Sequence, residues 1–374
     1  MGSGSAGARA RVSVLSSLRS TLSPDIGIDL GTANTVIYDR EAGIIASEPS
    51  VVAFQHSDRS VVAVGNAAKV LDGRAPGRID VVRPLKGGTI SDFVGAHTLI
   101  TTMIDRALAT RPRIAPRIIA CVPGCATDIE CKAIEEAVRA AGPRTTIFVP
   151  QAVAAAIGAG LDVTSTRGRM VIDIGGGTTE IAVLALSGIV AMHSIKIGGD
   201  TFDAAVGAKL RNDERFSVGV LTAERLKIER GYAGRPPGRE PYSVSGIDMN
   251  LMRPGRRAID ERLVGEAMHD AIDAIVRAAW SILEATPPDL AADLMETGIT
   301  LTGGGALIPG LAGEISVRTN VPTTVADEPL LAVARGAGEI LASPSLLEHM
   351  RPHADRLTRW YQSLRIGMTE SFSR

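Results

Sequence analysis

A chain of 374 residues is too long for one small domain; at about 150 residues per domain it predicts two, with insertions or a tail. Its 45% apolar and 22% charged residues are those of a folded globular protein, and 40 Lys+Arg against 41 Asp+Glu leave a formal charge of −1, which excludes global disorder and a general nucleic-acid binder. No apolar run reaches the roughly eighteen residues of a spanning helix and no signal peptide opens the chain, so folding in the cytoplasm is expected.

Residues 1–24 form a basic tail with Arg9, Arg11 and Arg19 and no acidic residue. Within it Val14, Leu15, Leu18 and Leu22 recur at helical spacing, the pattern of a short amphipathic anchor for an anionic membrane surface, with a disordered leader as the alternative. From Asp25 strands are predicted at Ile26 to Leu30, Thr35 to Tyr38 and Ser50 to Phe54. Ile118 to Val122 reads as a buried strand, and Thr127 with Glu130 forms a capping box for a helix that Gly142-Pro143 ends. A strand at Thr145 to Val149 runs into an Ala-rich helix from Gln151, and Met170 to Ile174, Thr179 to Leu186 and Ile189 to Ile197 repeat the strand-turn-strand theme. Residues 231–257, rich in Gly, Pro and Arg, read as irregular and exposed. Leu263 to Trp280 carries an apolar stripe stepping by four, a core helix that stops before Pro287-Pro288. Residues 343–374 are a second basic tail with Trp360 and Tyr361. Strands alternate with helices, so the fold class is α/β. Cys121, Cys125 and Cys131 have no nearby His pair, and buried small thiols without a role are expected.

The chemistry sits in a repeat. Asp29-Leu30-Gly31-Thr32-Ala33-Asn34-Thr35 and Asp173-Ile174-Gly175-Gly176-Gly177-Thr178-Thr179 each close an apolar strand and open another. Tight turns of this composition let backbone N-H groups and the Thr32 and Thr178 hydroxyls surround phosphate oxygens. An Asp beside each turn repels phosphate unless a divalent cation lies between, and Mg²⁺, held mostly through water, meets that need. One such turn is usually only a hairpin; two in corresponding places point to a nucleotide site. A third cluster, Gly303-Gly304-Gly305-Ala306, follows the strand Ile299 to Leu301, precedes a helix starting near Pro309, and offers bare backbone to a base or ribose. No Gly-x4-Gly-Lys-Ser/Thr occurs, so a P-loop is excluded.

These residues resemble the actin superfamily and, within it, the MreB-type bacterial actins. The resemblance covers about residues 25–342. It extends through Glu48 to Ala53, Arg83 to Gly88 with Asp92-Phe93, Ala155 to Gly160, Ile197-Gly198-Gly199-Asp200, Thr222 to Lys227 and Asp327 to Leu330. It implies an actin-like ATPase fold of two ribonuclease-H-like lobes, 25–160 and 161–342, each with a smaller subdomain around a nucleotide cleft. It further implies ATP and Mg²⁺ as cofactors, slow hydrolysis, and self-association into filaments at the inner face of the membrane with membrane-embedded cell-wall synthesis proteins as partners. By matched position Asp29 and Asp173 organise magnesium; Gly31, Thr32, Ala33, Asn34 and Gly175 to Thr178 hold phosphates. Gly199, Glu224 and Lys227 close on the nucleoside, and Gly303 to Ala306 lie beneath it. Gln151 orients the attacking water, in a Pro150-Gln151-Ala152 sequence where the family usually has Glu-Glu-Pro, which implies differently tuned hydrolysis. The competing reading is a monomeric phosphotransferase of the same superfamily, such as a sugar kinase, for which no catalytic Asp or substrate pocket is legible.

Overall fold

The computed structural model describes residues 24–109, 115–124 and 126–348. Residues 1–23 of the proposed N-terminal anchor and the tail segment with Trp360 and Tyr361 lie outside them, as does Cys125.

Two five-stranded mixed sheets organise the chain. The first holds β1 (Asp25–Leu30), β2 (Asn34–Asp39), β3 (Gly43–Pro49), β4 (Arg117–Val122) and β5 (Thr145–Pro150), in the order β5-β4-β1-β2-β3. The second holds β6 (Arg169–Ile174), β7 (Thr179–Ala185), β8 (Gly188–Ile195), β9 (Ile299–Thr302) and β10 (Thr323–Val325), in the order β8-β7-β6-β9-β10. The two orders are the same. In each, the first three strands form an antiparallel meander and the last two add in parallel beside the first. Parallel neighbours need a crossover, and helices supply it. Between β4 and β5 runs the helix Asp128–Ala140, started by the predicted capping box: Thr127 Oγ1 accepts from the Glu130 N-H at 3.3 Å and Glu130 Oε2 from the Thr127 N-H at 2.6 Å.

Each sheet has its own core. Ile26, Ile28, Ile37, Ile118, Ile119 and Phe148 anchor the first; Ile172, Ile181, Phe202, Met268, Ile275 and Leu301 anchor the second. The predicted stripe becomes the helix Glu261–Ala285, capped by Asp260, with Val264, Met268, Ile272, Ile275 and Ala279 buried. Trp280 stands at its edge, 43% exposed, donating its indole N-H to the Arg318 carbonyl at 3.0 Å.

Smaller subdomains are inserted between β3 and β4, where Val52–Gln55 pairs with Val61–Val64 and Ile79–Val82, and between β8 and β9. The second insert corrects the irregular reading of 231–257. Tyr242–Asp248 and Arg253–Ile259 form an antiparallel hairpin joined by Phe216–Ser217. Arg256 points to the exposed face, while Arg257, on the face of buried Ile259, covers the Phe216 ring at 5.2 Å and pairs with Glu214 and Asp248.

The helix Ala332–Ala342 returns to the first sheet, burying Val333, Ala337, Ile340 and Leu341 in that core. It crosses the helix Gln151–Gly158 at two glycines: a Cβ on Gly158 would land on the Ala332 carbonyl oxygen, and one on Gly336 on the Ala154 carbonyl oxygen. Backbones touch there because neither residue carries a side chain. Among the described residues no helix is long and apolar enough to cross a membrane.

Candidate functional site

The two Asp-x-Gly turns meet. Gly31 to Ala33 joins β1 to β2, and Gly175 to Thr178 joins β6 to β7, at the same place in each sheet. A Cβ on Gly176 would stand 2.6 Å from that of Ala33, and one on Gly177 2.6 Å from Thr32 Oγ1. Side chains at either glycine would fill the space between the turns. The first turn is held from the subdomain side: Ser50 N-H donates to the Ala33 carbonyl at 2.9 Å, the Ser50 hydroxyl to the Gly31 carbonyl at 2.6 Å, and Gly88 N-H to Thr32 Oγ1 at 3.1 Å. The second is held by the start of the helix Gly199–Asp213, whose Gly199 and Asp200 N-H groups donate to the Gly175 and Gly176 carbonyls at 3.0 and 2.7 Å.

Between the turns opens a cleft of about 410 Å³, well inside the size range of small-molecule sites. Asp29, Gly31, Thr32, Ala33, Asn34, Gln151, Asp173, Gly175, Gly176, Gly177, Thr178, Gly199, Glu224, Lys227, Gly303, Gly304 and Gly305 all line it. Ala306 does not: it is 2% exposed, with its methyl in the second core, because the glycine cluster tightens into a 3-10 turn over Gly304–Leu307 instead of leading straight into a helix. The helix expected near Pro309 begins at Leu311. Gly303 is left-handed (φ 77°) and presses on the Ile174 backbone, so the third cluster sits against the end of β6.

Charge concentrates at the cleft floor. Asp173 is 6% exposed and accepts one side-chain bond, from the Thr302 hydroxyl at 2.7 Å. Asp29 accepts from the Gln151 amide, Nε2 to Oδ1 at 3.1 Å. Burial pushes Asp173 up to about 6, with Thr302 pulling the other way. Burial and then the Asp173 charge push Asp29 up to about 7, which Gln151 opposes. Glu180, on β7 directly across from Asp173, is driven by burial to about 8 against two backbone donors. The Cys121 thiol beside them is raised well above its ordinary value by burial and by these carboxylates, which keeps it an unreactive thiol.

At the cleft mouth Lys69 of the first subdomain reaches Glu224 of the second at 2.8 Å. Lys227 binds Asp203 at 2.9 Å and the Gly199 carbonyl at 3.2 Å; burial raises Asp203 to about 6 despite this cation. Lys69, Arg83, Asp200 and Asp203 line the cleft without having been singled out as site residues from sequence, and Glu180 stands just behind it. A glutamate inside the fully buried run Thr179–Ala185 was the signal available for Glu180. Lys69 lies on a four-residue helix of ordinary composition and gave none.

The three buried acids make a pH prediction. Their folded pKa values, about 7, 6 and 8, exceed the ordinary 3.8, 3.8 and 4.5, so across that interval the folded chain holds protons that the unfolded chain has released. With more protons bound to the folded state, stability falls as pH rises. The melting temperature of the ligand-free protein is therefore expected to drop steadily from pH 5.5 to 8.5, and a flat or rising profile in differential scanning fluorimetry would contradict it.

Comparison with known proteins agrees with this geometry. The family model described as "MreB/Mbl protein" matches residues 23–349. The cell shape-determining protein MreB of Escherichia coli K12 is 42% identical over 335 residues, covering 88% of this chain and 96% of that protein. Mbl of Bacillus subtilis 168 is 39% identical over 317 residues, covering 85% and 95%. MreB5 of Spiroplasma citri, solved with ADP, superposes with a TM-score of 0.81 at 31% identity, covering 85% of this chain and 96% of that one, and its AMPPNP-bound structure gives 0.81 at 29% identity. Two sheets of identical strand order, glycine turns that face each other, and matches spanning nearly the whole of these relatives leave one conclusion: the chain has the actin-like ATPase fold and belongs to the MreB/Mbl family of cell shape-determining bacterial actins.

Proposed function

We propose that the chain binds ATP with Mg²⁺ in this cleft and hydrolyses it slowly, in step with assembly into filaments. The filaments lie at the inner face of the cell membrane, where they organise membrane-embedded proteins of cell-wall synthesis. The observation that carries this reading is the approach of the two turns, whose bared backbone forms a cradle that any side chain at Gly176 or Gly177 would fill. The ADP and AMPPNP complexes of the Spiroplasma relative support a nucleotide as its occupant.

Asp29 and Asp173 fit a magnesium ion. Each has one side-chain hydrogen-bond donor, they raise the local cost of negative charge, and phosphate between the turns adds to it. Two carboxylates leave the remaining positions to water and phosphate oxygen, as Mg²⁺ favours. The bound ion would neutralise phosphate charge. The chain's own residues do the rest. N-H groups of the turns and the Thr32 and Thr178 hydroxyls orient the phosphates. Gln151 donates its amide N-H to Asp29, which leaves its carbonyl oxygen to accept from a water. An amide takes up no proton, so Gln151 positions water without acting as a base, and turnover is slow. Leu307 and Leu330, about half exposed beside Gly303 to Gly305, give an apolar rest for the base, with Glu224 and Lys227 facing the ribose side.

The test is phosphate release, pelleting and electron microscopy of the purified chain with ATP and Mg²⁺. Filaments and ATP-dependent pelleting are expected; a monomer that stays in the supernatant would overturn the reading in favour of a soluble phosphotransferase. Membrane attachment is assigned to residues 1–24. Three arginines near an anionic leaflet contribute on the order of 1 kcal/mol each, and many copies along a filament multiply a weak anchor. Liposome co-sedimentation of assembled protein is expected to lose most of its salt-sensitive binding when the chain starts at Ser23; equal binding would move the anchor elsewhere.

A further inference from the structure

Glu180 is fully buried, does not line the nucleotide cleft, and still binds both of its carboxylate oxygens across the boundary between the two sheets. Oε1 accepts from the Gly124 N-H at 2.5 Å and Oε2 from the Ala152 N-H at 3.1 Å. Both donors belong to the first sheet's side. Gly124 follows β4, and Ala152 is the second residue of the helix that follows β5. That N-H is one of the first-turn donors a helix cannot satisfy internally, and Pro150 ahead of it offers no side-chain cap. So one carboxylate of the second sheet holds the loop after β4 and the start of the helix after β5, one residue from Gln151, whose amide reaches Asp29.

Two tethers thus meet at Gln151, its own bond to Asp29 and the Glu180 bond to its neighbour's backbone. They come from opposite lobes. We propose that Glu180 is a positioning residue for ATP hydrolysis: it fixes the first turn of the Gln151 helix to the second lobe, so that rotation of the lobes moves Gln151 relative to the phosphate turns. The proposal rests on the ATPase reading of the cleft. A buried glutamate with no such task would be replaceable by any group that fills its volume and pairs its donors.

Two substitutions separate the pieces. Glu180→Gln keeps the shape and offers one acceptor oxygen, but its NH2 group then faces an N-H donor, so one bond is lost. Glu180→Asp keeps the acid but shortens its reach by one methylene, so it cannot hold the Gly124 and Ala152 N-H groups at once. Steady-state phosphate release by assembled protein is measured for both, alone and in a Gln151→Ala background. Each is expected to lower kcat roughly tenfold or more, the scale on which a small misplacement of a reacting group acts, while KM for ATP moves less than about threefold. In the Gln151→Ala background neither should lower kcat further by more than about twofold, since the group they position is gone. The same fold-loss with and without Gln151 would overturn the positioning role and mark Glu180 as structural, as would wild-type kcat in both single variants. If Glu180→Gln does not fold, Glu180→Asp decides alone. A wild-type chain without turnover would overturn the ATPase reading and this proposal together; turnover indifferent to both changes overturns only the proposal.

Discussion

Asp173→Ala is expected to reduce ATP turnover at least about a hundredfold, the loss typical of removing a preorganised charged group from a transition state. Asp173 ends β6 at the floor of the cleft, 6% exposed, with the Thr302 hydroxyl as its one side-chain donor. Removing it takes away one of two carboxylates suited to magnesium and relieves the charge that raises Asp29. The fold should survive, because the β6 ladder to β7 and β9 runs through backbone groups. Folding free energy of the ligand-free variant should even rise, since a buried acid that burial drives to about 6 has been deleted. The measurement is phosphate release together with Mg²⁺-dependent nucleotide binding, and wild-type turnover in the variant would remove Asp173 from the site. Thr302→Val, which deletes only the hydroxyl, should fall between.

Gly336→Val should be the most damaging single change to stability among those considered. The helices Gln151–Gly158 and Ala332–Ala342 cross with backbone against backbone, and a side chain on Gly336 meets the Ala154 carbonyl oxygen and the Gly158 amide nitrogen. Overpacking costs about 1–3 kcal/mol. In a chain of this size that is a fall in melting temperature of roughly 1–4 °C. Turnover should fall as well, because the displaced helix is the one that carries Gln151. Gly313→Ala is the control: that helical glycine has open space around it, and alanine there should be neutral or slightly stabilising. Equal losses from the two substitutions would mean that the crossing is looser than its geometry indicates.

Much of this was legible in the sequence for reasons that are local. The repeated turn showed itself because a sharp turn that ends one strand and opens the next carries glycine and hydroxyl residues at fixed offsets. The helix Glu261–Ala285 showed itself because only one of its faces is apolar. What stayed hidden is non-local. Arg253, Pro254, Gly255, Arg256 and Arg257 read as coil and became a strand, because their partner Tyr242–Asp248 supplies the ladder and Phe216, Glu214 and Asp248 receive Arg257. The helix Ala332–Ala342 falls within the range 161–342 expected for the second lobe yet packs on the first sheet, and nothing local in its sequence tells which sheet buries it. Glu180 and Lys69 acquire their meaning from partners 28 and 155 residues away, and no spacing rule reaches that far.

That returning helix has a consequence for how the protein is made. Gly158 and Ala332 are brought together from 174 positions apart, and at about 5–20 residues per second a ribosome needs roughly 10–35 s to travel between them. The second sheet is contiguous from Arg169 to Val325 and can close on itself as it emerges. The first cannot: until Ala337 arrives, the surface around Gly27 and Tyr38 that it covers stays bare on a nascent chain. The earlier-synthesised half is therefore the last to finish folding, and during that wait it is the natural client of whatever shields apolar surface at the ribosome exit.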